Sequence, residues 1–80
     1  MSVTVYSKPG CGPCMATEVA LKAAGIPYDK VDLTQDVDAM AFVQGLGYRT
    51  APVVVAGDDH WAGLSLDKIA GLGAALAVAA

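Results

Sequence analysis

The chain has 80 residues, 55% hydrophobic and 16% charged, with five basic and eight acidic residues for a formal net charge of −3. That length predicts one small domain with one core, and the apolar composition argues against disorder. The acidic balance has the wrong sign for gripping a phosphate backbone, and the longest uncharged stretch, the twelve residues from Ile69 to Ala80, spans only about 18 Å as a helix against a hydrocarbon core of about 30 Å, so neither nucleic acid nor a membrane is an expected partner.

In chain order, Val3 to Tyr6 is a β-branched and aromatic run ended by Ser7-Lys8-Pro9-Gly10, predicting a strand followed by a loop. Pro13 suits the first turn of a helix, where its missing N–H is no loss. This helix is expected to run to about Ala24 and stop at Gly25. Glu18 and Lys22 are spaced to pair on its wet face, and Ala16, Ala20 and Ala24 to face a sheet.

Pro27 to Leu33 reads as a second strand. Asp36 or Thr34 can cap a second helix, ended by Gly47, whose Ala39, Phe42, Val43 and Leu46 share a face. Pro52 to Ala56 is a third strand, joined across Gly57-Asp58 to a short fourth, Asp59 to Ala62. Ser65 can cap a last helix with Leu66, Ile69, Leu72 or Gly73, and Leu76 on one face. The order is βαβαββα, an α/β fold with a four-stranded mixed sheet and three helices. Its first two strands are parallel with a right-handed crossover, and its last two form an antiparallel hairpin.

The chemistry concentrates at Cys11-Gly12-Pro13-Cys14. Two cysteines are too few for a secreted disulfide framework, the opening residues lack a basic and then apolar leader, and the expected compartment is the cytoplasm. There a close cysteine pair is redox-active or metal-binding. Cys11 lies just before the helix, where unpaired N–H groups and the helix dipole favour a thiolate; Cys14, one turn further in, is expected to stay protonated. Cys11 is then the nucleophile toward a partner disulfide and Cys14 the resolving thiol, with Cys11–Cys14 as the redox disulfide. Lys8 adds positive potential or is a solvated loop lysine.

Other readings of the pair are weaker. A structural disulfide closing so small a loop contributes only about 2 kcal/mol. A zinc or iron–sulfur site needs about four ligands, whereas the chain offers two thiols and the distant His60, so no metal is expected. Pro52 opens a strand, and trans is the common form of such a bond, since only about 5–6% of X-Pro bonds are cis. The start of the third strand lies beside the start of the first helix in a sheet of this order, which lets Ala51 offer backbone groups to a partner segment. Trp61 reads either as a partner-contacting aromatic or as a packing residue, and Met15 as partly exposed beside the thiols.

These residues resemble the thioredoxin superfamily and, more closely, its small glutaredoxin-like branch, the NrdH redoxins. The resemblance is carried by Val3-Thr4-Val5-Tyr6-Ser7-Lys8-Pro9, the CxxC, Gly25-Ile26, Val31-Asp32, Leu46-Gly47-Tyr48, Ala51-Pro52-Val53-Val54-Val55 and His60-Trp61-Ala62-Gly63. It implies a thioredoxin fold, a cis peptide before Pro52, and a monomeric electron carrier with no bound cofactor. Reducing equivalents would come from NADPH through thioredoxin reductase and pass to a class Ib ribonucleotide reductase. The Gly-Pro dipeptide looks like thioredoxin's, but Gly10 stands where thioredoxin has Trp and Met15 where it has Lys. Glutaredoxins place an acidic residue near Ser65 to hold the glutathione amine; its absence implies weak or no glutathione binding. A general thioredoxin and a glutathione-dependent glutaredoxin are the alternatives within this class. The expected partner-binding residues are Lys8, Gly10, Gly12, Pro13 and Met15 around the thiols, Thr50, Ala51 and Pro52 before the third strand, and Trp61 and Gly63 beyond the hairpin.

Overall fold

A computed structural model describes residues 2–79, with side chains described as far as residue 75. Seven elements follow in the order β1 (Val3–Ser7), α1 (Gly12–Ala23), β2 (Asp29–Asp32), α2 (Val37–Gly45), β3 (Val53–Ala56), β4 (Asp59–Ala62) and α3 (Leu66–Ala79). The strands form one sheet in the order β2-β1-β3-β4. β1 runs parallel to β2 and antiparallel to β3, and β3 is antiparallel to β4. The βαβαββα order and the mixed sheet read from the sequence are both present.

Successive strand residues point to opposite faces, so each apolar strand supplies two cores. On one face Val3, Val5, Val54, Ala56 and Trp61 pack with Leu21, Ile26, Ile69 and Leu72, which brings α1 and α3 onto the sheet. On the other, Val53 packs with Leu33, Ala39 and Val43, with Tyr6, Val31 and Val55 alongside, which brings α2 onto the sheet. Val5 and Leu21 are fully buried, and a buried side chain of this kind is worth about 1.5–3 kcal/mol.

Both inner helices stop for the same local reason. Gly25 takes φ +72° and Gly47 φ +95°, a region that suits glycine. The reversal lets Ile26 N–H donate to Leu21 O at 3.0 Å and Tyr48 N–H donate to Val43 O at 3.2 Å, the six-to-one bond that closes a helix end. The chain is thereby turned back toward the sheet at Ile26 and at Tyr48.

Several local expectations are corrected. The buried face of α1 is Cys14, Thr17 and Leu21, not the alanine row, and Ala24 is exposed. Larger side chains fill the layer above the sheet, and the alanines flank it. Glu18 does not pair with Lys22: it accepts from Tyr28 Oη at 3.0 Å and meets Lys30 Nζ at 3.4 Å, because β2 runs past that side of α1. Asp36, not Thr34, caps α2, through Ala39 N–H at 2.9 Å. Thr34 instead donates from its N–H and its hydroxyl to Asp32 Oδ1 at 2.8 and 2.6 Å. Phe42 is half exposed and lies against Tyr6 with ring centroids 5.7 Å apart. The second strand is shorter than Pro27 to Leu33, and β1 is one residue longer than expected, since Ser7 pairs with Asp32. The side chain of Leu76 lies outside the described residues.

Candidate functional site

The end of β1 and the start of α1 are joined by four residues, and the cysteines stand where that loop becomes helix. Cys11 is the N-cap of α1, with extended backbone (φ −97°, ψ 106°). Its Sγ accepts a hydrogen bond from Cys14 N–H at 3.2 Å. A sulfur therefore occupies the place that a serine or aspartate oxygen fills in an ordinary cap. No acidic residue lies in the first turn of α1, so the positive end of the helix acts on that sulfur without a competing carboxylate. Thr17, fully buried, returns its hydroxyl to Pro13 O at 2.9 Å and ties down the turn that carries Cys14.

The two cysteines form a disulfide, with Cα atoms 5.2 Å apart. Cys11 is 6% and Cys14 1% exposed, so Cys11 is the more accessible residue of the pair. Across the gap, Ala51 O lies 3.8 Å from Cys11 Sγ. The Ala51–Pro52 peptide is cis, and Pro52 is fully buried. Pro52 O accepts from Gly63 N–H at 2.8 Å, which fastens the Pro52 loop to the end of β4.

Around the disulfide the sequence-expected residues divide. Lys8, Gly10, Gly12 and Pro13 are exposed in the loop and the first turn, and Met15 is 67% exposed. Thr50 is exposed and Ala51 half-buried on the opposite side of the sulfurs. Gly63 is half-buried and its N–H is already engaged with Pro52. Trp61 is a correction: it is 7% exposed and packed with Val5, Leu21 and Ile69. Its place on β4 puts it on the α1 and α3 face of the sheet, so the indole is core and does not offer a docking surface.

One feature is missed by the sequence. A cleft of about 700 Å³ opens beside the Thr50–Ala51 segment, bounded by Lys8, Thr34, Gln44, Tyr48 and Arg49 and floored by Leu33, Met40 and Val43. Arg49, directly before Thr50, was the available signal. The cleft itself is assembled from α2 and three loops that are distant in the chain. Tyr48 at its wall is held from behind by His60, whose Nδ1 lies 2.7 Å from Tyr48 Oη. At its far rim the Thr34 hydroxyl, and then its N–H, hold the Asp32 carboxyl below the usual carboxylate range. Just before β2, beside the core under α1, burial and then the Glu18 carboxylate push the Tyr28 phenol up.

Among the described residues no group of three or more His, Cys, Asp or Glu side chains comes together as a metal site, and no helix is long and apolar enough to cross a membrane. The chemistry at hand is that of a dithiol and its disulfide.

Residues 3–61 match the family model described as glutaredoxin. The chain is 36% identical over 69 residues to the glutaredoxin-like protein NrdH of Salmonella typhimurium, covering 86% of this chain and 85% of that protein. It is 32% identical over 69 residues to the NrdH of Escherichia coli K12, with the same coverage. The solved structure of the E. coli NrdH-redoxin superposes with a TM-score of 0.87 at 32% identity, over 90% of this chain and 95% of that one. That structure is described as the basis of a thioredoxin-like activity profile in a glutaredoxin-like protein. The architecture is thus the thioredoxin-like fold that the motifs implied.

Proposed function

The chain belongs to the glutaredoxin family, among its NrdH-like members with a CxxC pair, and from that premise we propose that it is a dithiol electron carrier for a class Ib ribonucleotide reductase, recharged by thioredoxin reductase. The observation that carries the reading is the position of Cys11 Sγ: at the cap of α1, more accessible than Cys14, and 3.8 Å from the Ala51 carbonyl.

In the reduced protein the Cys11 thiolate is stabilised by the Cys14 N–H and the first turn of α1. It attacks one sulfur of the partner disulfide. The partner S–S bond breaks, one partner sulfur leaves as thiolate and takes a proton from solvent, and a Cys11–partner bond forms. Cys14 then loses its proton and attacks Cys11 Sγ, which releases the second partner sulfur and leaves the Cys11–Cys14 disulfide. Two electrons have passed to the partner. Thr50 and Ala51 supply the backbone edge on which the partner segment lies, in the manner of an added strand. Met15, Gly10, Gly12 and Pro13 form the small apolar collar around the sulfurs. NADPH is the ultimate reductant through thioredoxin reductase, no cofactor is bound, glutathione binds weakly or not at all, and the carrier acts as a cytoplasmic monomer.

The test is reconstitution. The chain is supplied with NADPH and either thioredoxin reductase or glutathione with glutathione reductase, and coupled to a class Ib ribonucleotide reductase. Deoxyribonucleotide formation through the thioredoxin reductase arm is the expected result. Turnover with glutathione alone would overturn the partner assignment and favour a glutathione-dependent glutaredoxin.

A further inference from the structure

The residues that lead into the cis peptide, Arg49-Thr50-Ala51, form a short bridge whose two ends are both tied to β4. At the far end Pro52 O accepts from Gly63 N–H at 2.8 Å, directly after that strand. At the near end the Tyr48 side chain reaches β4 itself: its Oη lies 2.7 Å from His60 Nδ1 and 3.4 Å from His60 O. The two rings meet edge to face, with centroids 5.5 Å apart and planes at 77°. Strand alternation explains the meeting. Trp61 faces the α1 and α3 core, so His60 beside it faces the α2 side, where Tyr48 packs against Leu33, Val43 and Val53. The Tyr48 main chain is fixed as well, its N–H donating to Val43 O at 3.2 Å. Between these anchors, among the described residues, Arg49 and Thr50 make no backbone hydrogen bond, and Ala51 O stands 3.8 Å from Cys11 Sγ. The bridge is held at its ends and not along its length.

We propose that Tyr48 and His60 are positioning residues for the exchange at Cys11: the phenol–imidazole contact holds the Arg49-Thr50-Ala51 bridge where the backbone of a partner segment can pair with it. The inference rests on the reading of Cys11 as the attacking sulfur and of Thr50 and Ala51 as the partner's edge, and adds what fixes that edge. His60 acts through Tyr48 and touches neither sulfur. The Cys11 thiolate is set by α1 and the Cys14 N–H, so loss of the contact leaves the sulfur chemistry as it is. A bridge released at one end must instead be ordered each time a partner segment binds, and that cost falls on binding.

The test uses the full, reduced chain and two disulfides: a synthetic peptide closed by one intramolecular disulfide, and dithiodipyridine, a small aromatic disulfide with no peptide backbone. A single hydrogen bond is worth roughly two- to tenfold. His60→Ala is therefore expected to slow peptide reduction by about that factor, through a raised half-saturation concentration at an unchanged limiting rate, and to leave the dithiodipyridine rate unchanged. His60→Asn, which keeps a hydrogen-bonding atom near the place of Nδ1, is expected to restore the peptide rate. The double variant H60A/Y48F is expected to lose no more than H60A alone, since the two side chains act as one contact. An unchanged peptide rate in H60A, an equal loss with dithiodipyridine, or an H60N protein no faster than H60A overturns the positioning role and leaves the dithiol chemistry intact. Reduction of dithiodipyridine but not of the peptide by the unmodified chain overturns the bridge as a docking edge, and the proposal with it. Reduction of neither overturns the reading of Cys11 itself.

Discussion

Cys11 Sγ and Ala51 O lie 3.8 Å apart although 40 positions separate them in the chain. β1 and β3 are antiparallel neighbours at the centre of the sheet, with Tyr6 opposite Val53, so the loop leaving β1 and the segment entering β3 meet at one end of the strands. The Cys11 sulfur and the Ala51 carbonyl are brought together by strand pairing alone.

Cys11→Ser is expected to reduce disulfide reduction to background. Cys14→Ser, at a position only 1% exposed, is expected to leave the first attack intact and to accumulate a mixed disulfide between Cys11 and the partner. Intact-mass analysis after a single turnover reads both. An adduct on Cys14 in the Cys11→Ser protein would exchange the two roles.

Acid titration has a defined sign at Asp32. Its folded value is lowered, first by the Thr34 hydroxyl and then by the Thr34 N–H, so its stabilising contribution is present above the ordinary carboxylate value of 3.8 and is lost as the pH falls through the lowered value. Thr34→Val removes the hydroxyl and keeps the N–H. The Asp32 value should rise part of the way back, as followed by carboxyl carbon resonances in an NMR titration. An unmoved value would assign the shift to the backbone alone.

Gly71 sits within α3, exposed, and a Cβ there would meet nothing within 4 Å. Gly71→Ala is therefore expected to stabilise the chain by about 0.8–1 kcal/mol, the helix-propensity difference between the two residues, with a rise in Tm of roughly 4–8 °C for a domain of this size. Thermal unfolding followed by circular dichroism measures it. A fall in Tm would mean that this turn of α3 needs glycine.

Trp61 packs in the core between the sheet and the α1 and α3 helices. Trp61→Phe is expected to lower the unfolding free energy by about 1–2 kcal/mol through lost packing, as read from urea unfolding. KM for a disulfide substrate should stay where it is. A raised KM at unchanged stability would return the indole to the docking surface.

How far the sequence alone was legible follows from range. The CxxC, its loop-to-helix position, the seven elements and their order were all readable, because each depends on neighbours in the chain: a strand ended by Lys8-Pro9-Gly10, a proline fit for a first turn, glycines at Gly25 and Gly47 where the backbone must reverse. The faces of the helices were only partly readable. Alanine spacing on α1 is a weak signal when Cys14, Thr17 and Leu21 compete for the same layer, and the burial of Leu21 decides it. Glu18 shows the same limit. Its i,i+4 spacing to Lys22 is a local preference worth a few tenths of a kcal/mol, and it yields to Tyr28 and Lys30, which β2 places beside it.

The sequence by itself determined that this protein carries a dithiol at the head of a helix, because four adjacent residues suffice to specify it. Only the tertiary structure decided what surrounds that dithiol. The Ala51 carbonyl and the cleft lined by Lys8 and Arg49 arise from segments distant in the chain that meet only when the strands pair and the helices close over them.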